Sequence, residues 1–181
     1  MSGILGIWHD VAPGAEAAIE DWYDHEHHAE RVAIASFRRA RRYRGLEGAP
    51  LVFGRYDVDG PEVLQSPDYL RVLAKPSDWT RRMMPLYRRM SRTVFRVHAR
   101  LGRGEGGFVA SFRLPGMAAL DAAMALLPAI VAARHVLSAE VWIADAAATR
   151  PATSREVQFH DAPEASDAAA IGLNGSESHA L

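Results

Sequence analysis

An alternation of hydrophobic period, from two residues to about 3.6 and back, acts first on what the N-terminal half of this chain can fold into. Ile4 to Asp10 sets Leu5, Ile7 and His9 on one side and Ile4, Gly6 and Trp8 on the other, as a strand does. Pro13-Gly14 turns the chain, and a helical stretch follows from about Ala15 to Ile34. Phe37 to Tyr43 and Leu51 to Val58 return to the strand period around a turn at Gly45 to Pro50. Ser66-Pro67 and Ser77-Asp78 both read as helix N-caps, the second opening a helix from Trp79 to Tyr87. Thr93 to Arg100 alternates again.

The resulting order, β-α-β-β-α-β, is that of the ferredoxin-like split βαβ unit, an α+β arrangement with helices on one face of an antiparallel sheet. Gly102 to Gly107, with Arg103 and Glu105 among its glycines, reads as a hinge. Beyond it lie a strand (Phe108–Leu114), an Ala/Leu/Met-rich helix (Met117–Ala133), a strand (Val136–Ile143) and a candidate strand at Arg155–Phe159. The expected organisation is a ferredoxin-like unit over 1–103, a partial second βαβ unit over 107–160, and a weakly ordered or short helical tail over 161–181. Charge divides similarly: 17 basic and 14 acidic residues lie in 1–105, against 4 and 8 in 106–181.

Composition excludes several classes. There is no cysteine, hence no disulfide, thiolate metal site or cysteine nucleophile. The net charge of −1 gives no general attraction to nucleic acid. The apolar runs are too short to span a membrane, and Met1-Ser2-Gly3 shows no leader, so a cytoplasmic protein is expected. Phosphate-cradling, nucleophile-elbow and H-E-x-x-H motifs are missing, so no cofactor and no metal is expected.

The informative conflict lies in the first helix. At about 100° per residue, an apolar stripe runs through Ile19, Trp22, Tyr23, Ala33 and Ile34. Glu26 and Glu30 fall in its middle, and His27 at its edge. Buried carboxylates need partners. Arg31, Arg39 or Arg41 could supply a structural ion network, and that reading stands level with a ligand site. His25 and His28 fall toward water and could share a metal ion at i and i+3, but no third ligand is evident. The arginines from Arg38 to Arg44 split between two strand faces, which favours ion pairs over a nucleic-acid patch.

Trp22-Tyr23-Asp24-His25-Glu26-His27-His28-Ala29-Glu30-Arg31, followed by Phe37-Arg38-Arg39-Ala40-Arg41-Arg42-Tyr43, resembles the EthD-like members of the dimeric α+β barrel superfamily. Their helix reads W-Y-x-x-E-H-x-P-E-R and their strand G-F-x-x-x-R-R-Y. The chain departs from this at Ala29, where the family has Pro, and at Ser36, where it has Gly. The resemblance implies a ferredoxin-like unit whose sheet pairs with a second one, from a homodimer or from the degenerate second half. It also implies a cavity for a small-molecule substrate lined by a histidine matching His27.

The leading expectation is a small-molecule enzyme of aromatic or xenobiotic catabolism with isomerase- or lyase-like acid/base chemistry. His27 would move a proton, Glu26 or Glu30 would tune it, and Tyr23, Trp22, Arg41, Tyr43, Trp79 and Arg31 would shape the pocket. Two alternatives stand beside it. One is a haem-binding or haem-degrading barrel with His27 or His98 as axial ligand; the other is a non-catalytic binding or assembly module.

Overall fold

A computed structural model of the chain describes residues 2–47, 50–114 and 116–149 in full, and the backbone of 169–175. It divides into two units, one comprising 1–94 and 145–163, the other 95–144 and 164–181. The candidate strand at Arg155–Phe159 lies outside the described residues.

In the first unit, strand β1 (Gly3–Val11) is followed by a helical stretch over 16–32. That stretch consists of α1 (Glu16–Trp22), a π-helical segment (Tyr23–His27) and α2 (His28–Val32). Next come β2 (Phe37–Arg44), β3 (Val52–Val58), α3 (Pro67–Ala74), α4 (Asp78–Met83) and β4 (Tyr87–Gly102), of which residues 87–94 belong to this unit. The strand order is β2-β3-β1-β4, with β1 antiparallel to β3 and β3 to β2, which is ferredoxin-like. Both expected caps form: Ser66 Oγ accepts from Tyr69 N at 3.2 Å and Ser77 Oγ from Thr80 N at 2.9 Å. A short helix, α6 (Ala146–Thr149), closes this unit.

The sheet has two unlike faces. Leu5, Ile7, Tyr56, Phe37 and Val58 pack with Val63, Leu64, Tyr69 and Leu73 in one core cluster. Ile19, Trp22 and Tyr23 form a second with Met83 and Met84. On the opposite face Trp8 stacks on Phe53 at 4.7 Å, and Tyr43 stacks on Phe53 at 5.9 Å. Ser36, one of the departures from the EthD-like pattern, has a φ of 69°. A glycine occupies that left-handed region without cost from a Cβ, which gives the family's preference a physical reason.

In the second unit, residues 95–102 of β4 pair with β6 (Val136–Ala144), and β7 (Ala169–Gly175) lies between β6 and β5 (Phe108–Leu114). Helix α5 (Leu120–Ala132) buries Ala123 and Leu127 against Ala139 and Val141. The order β6-β7-β5 repeats β2-β3-β1 of the first unit, so this is a partly degenerate ferredoxin-like half. Two expectations change here. The division between units falls within β4 rather than at the glycine hinge, because a 16-residue strand is long enough to pair along different parts of its length. Residues 169–175, expected in a tail, pair as a strand instead: backbone hydrogen bonds to both neighbours do not depend on side-chain hydrophobicity. None of the described helices is long and apolar enough to cross a membrane.

Candidate active site

The π-helical segment decides which residues of the first helix face the sheet. The N–H of His28 reaches the carbonyl of Tyr23 in an i→i+5 bond, which widens the turn. One extra residue per turn rotates everything after it backwards, by up to about 100° relative to a regular helix. The inward positions therefore become Ile19, Trp22, Tyr23, His27 and Arg31, with His27 only 4% and Arg31 only 3% exposed. Glu26 and Glu30 move from the middle of the stripe to its flanks, where both are half-buried.

Glu26 is taken up by structure. Its Oε1 accepts from Trp22 Nε1 at 3.1 Å, Ser77 Oγ at 2.6 Å and Thr80 Oγ1 at 3.2 Å, so it ties the helix to the start of α4. None of the expected arginine partners is used in these bonds. Glu30 lies 3.8 Å from Arg31 Nη2.

His27 stands in an aromatic enclosure. Trp22 stacks on its ring at 4.2 Å, and Tyr23 and Tyr56 meet it edge-on at 5.2 and 6.0 Å. Its Nδ1 is buried and has no hydrogen-bond partner among the described residues. Burial first, and then the Arg31 charge, push its pKa well below the ordinary histidine value. The ring is therefore neutral at neutral pH, with a nitrogen lone pair to offer.

Beside it runs a chain of phenols. Tyr87 Oη donates to Tyr23 Oη at 2.5 Å. His9 Nδ1 lies 3.0 Å from the Asp10 carbonyl, so Nδ1 carries the proton. His9 Nε2 therefore accepts from Tyr23 Oη, 3.2 Å away. Desolvation raises Tyr23 to about 12 and lowers His9 to about 4, so both are neutral at neutral pH. Tyr87 also stacks on His9 at 3.9 Å.

His27, Tyr56 and Tyr87 line a cavity between the sheet and its helices, together with Arg31, Tyr69 and Arg92 and an apolar wall that includes Leu5, Ile7 and Leu73. It opens partly to solvent and leaves about 30 Å³ for the centres of water molecules, room for two or three of them. A haem ring exceeds that space, and His98 is exposed on the second unit, so these residues do not fit haem.

Of the residues expected at the site, His27 and Arg31 line the cavity. Trp22 and Tyr23 stand behind His27 as its enclosure. Trp79 packs with Trp22 and Met83 instead. Arg41 and Tyr43, which bond each other at 3.2 Å, stand on the sheet's other face, beside Phe53. His25 is exposed and pairs with Asp21, whereas His28 is half-buried beside Tyr23. No group of three ligating side chains gathers around a common point among the described residues.

His9, Tyr56, Tyr69, Tyr87 and Arg92 were not among the expected site residues. His9 had a signal, since it shares the inward face of β1 with Leu5 and Ile7. Tyr87 and Arg92 had none: the sequence put Tyr87 at a helix end, whereas β4 begins there.

No protein-family model matches the chain, and no curated protein is similar to it in sequence. Among solved structures it is similar to a crystal structure of an anthrone oxidase-like protein, at 9% identity and a TM-score of 0.58. The likeness covers 99% of this chain and 74% of that one. At this identity it shows the fold alone: a mixed α+β architecture of helices on an antiparallel, ferredoxin-like sheet.

Proposed function

We propose that the cavity of the first unit is the active site of a small-molecule enzyme that removes and returns a proton on an enolisable aromatic compound. The observation that carries this reading is His27, a residue of the cavity wall that burial keeps neutral and whose buried Nδ1 has no hydrogen-bond partner among the described residues. A buried nitrogen left without a hydrogen bond costs stability, and such costs recur where a site is kept for a ligand. The π-helical segment that turns His27 inward is of a kind often found at functional sites.

The chemistry follows from the groups present. His27 takes a proton from an acidic C–H next to a carbonyl. The developing enolate oxygen lies against the guanidinium side of the cavity. The phenols of Tyr56 and Tyr87 supply hydroxyl groups to the rest of its polar wall. Returning the proton to another carbon makes the reaction an isomerisation, and expelling a β-substituent makes it an elimination. Removal of the proton is common to both. The EthD-like motif around His27, and the anthrone-related name of the structural neighbour, support an aromatic substrate. The cavity is small, so the ring of such a substrate lies across its mouth.

Proton exchange tests this without knowledge of the natural substrate. In deuterated buffer, the protein should accelerate loss of the methylene NMR signals of 2-coumaranone or anthrone. His27→Gln should lower that acceleration by about 100-fold or more while the far-ultraviolet circular dichroism is unchanged. A folded His27→Gln protein that exchanges at the native rate, or a native protein with no acceleration, would overturn the reading.

A further inference from the structure

We infer that the cavity is an anion site whose ligand enters carboxylate first, between Arg31 and Arg92. The inference rests on the reading of this cavity as a ligand site and adds the ligand's charge. Two guanidiniums, a neutral imidazole and three phenols line the space, and none of its lining residues is a carboxylate. Both guanidiniums address the same ring: Arg31 Cζ sits 5.9 Å from the Tyr69 centroid, and Arg92 Nη2 donates to Tyr69 Oη at 3.4 Å. Arg92 is fixed from the other side by its Nη1, which donates to the Thr149 carbonyl at 3.3 Å. The two cations thus flank one phenol at the cavity wall, as a fork held in place before any ligand arrives.

Size agrees with charge. Room for two or three waters is also room for a carboxylate group. The remaining wall is apolar, so an anion that enters exchanges water for guanidinium donors in a surrounding of low dielectric, where charge-assisted bonds are strongest. Neutral His27 does not compete for that anion. A carboxylate beside Arg31 also offsets the positive charge that helps hold the His27 pKa down, so binding makes the imidazole a better base.

Calorimetric titration at pH 7.5 with benzoate and with its neutral isostere benzamide reads this directly. Amide chemical shifts locate the binding. Benzoate should bind at least about tenfold more tightly than benzamide, with shifts centred on Tyr69 and Leu73. Arg92→Gln should abolish that preference and leave benzamide within about twofold of native. Arg92→Lys should restore part of it, and Arg82→Gln, at an exposed position away from the cavity, none should be lost. Arg31 is too buried to serve as the sole test, so Arg92 carries it.

Equal binding of the two probes, a preference that survives Arg92→Gln, or shifts remote from Tyr69 would overturn the inference. The two readings can fail separately. His27→Gln that loses proton exchange but keeps the benzoate preference supports both. A His27-dependent exchange with no benzoate preference removes the anion site alone. A benzoate preference without any exchange removes the acid/base reading alone.

Discussion

Two buried histidines hold much of the acid sensitivity of this protein. His9 is fully buried, and desolvation lowers its pKa to about 4; His27 is lowered in the same direction. Below about pH 6.5 the unfolded chain therefore binds protons that the folded chain refuses. Stability is complete above that value and falls as pH drops, with a loss from His9 on the order of 3 kcal/mol by about pH 4. Urea melts at steps between pH 7 and 4.5 should show a steadily falling midpoint, before the carboxylates enter their own range. His9→Gln should flatten part of that slope, and a midpoint indifferent to pH across the window would refute the assignment. Legibility at this scale was uneven. His27 and its aromatic neighbours could be read from the sequence, because they sit close together on one helix. Tyr87 and Arg92 could not, because they reach the cavity only after the chain has folded back as β4.

The elements show why some local rules were enough and others failed. Ser66 and Ser77 were readable as caps, since the hydroxyl and the N–H it meets are three residues apart. Ser77 also does something no local pattern reveals: its hydroxyl donates to Glu26 Oε1 at 2.6 Å, 51 residues away. The two caps should therefore differ in cost. Ser66→Ala should lose about 1 kcal/mol, the ordinary value of a cap. Ser77→Ala should lose roughly 2–3 kcal/mol, because a half-buried carboxylate forfeits a charge-assisted bond as well. Denaturant midpoints of the two variants measure the difference, and equal losses would mean that Glu26 does not hold α4. The π-helical segment is the opposite case. A regular 100° wheel puts Glu26 and Glu30 inward, and one wide turn replaces them with His27 and Arg31.

At the scale of the whole chain, two ferredoxin-like halves of unequal completeness share β4, and the second depends on its last strand. The first half was legible because its strands are rich in Val, Ile, Phe and Tyr and its turns in Gly and Pro. β7 was not: Ala169-Ala170-Ile171-Gly172-Leu173-Asn174-Gly175 has the composition of a linker and gains its structure from pairing on both sides. In the order β4-β6-β7-β5 this strand is internal, so β5 reaches the sheet only through it. A chain ending at residue 168 should leave β5 without a hydrogen-bonding neighbour and give β6 an open edge. Amide hydrogen exchange should then rise in Phe108–Leu114 and Val136–Ala144, while Ile4 to Trp8 and Phe53 to Val58 keep their protection, because β1 and β3 pair with each other and with β2. The cavity is built wholly from residues 5–92, so proton exchange on 2-coumaranone should persist in the shortened chain. Loss of protection in β1 and β3 as well would mean that the halves fold as one cooperative body. Unchanged protection in β5 would mean that its pairing with β7 does not hold it.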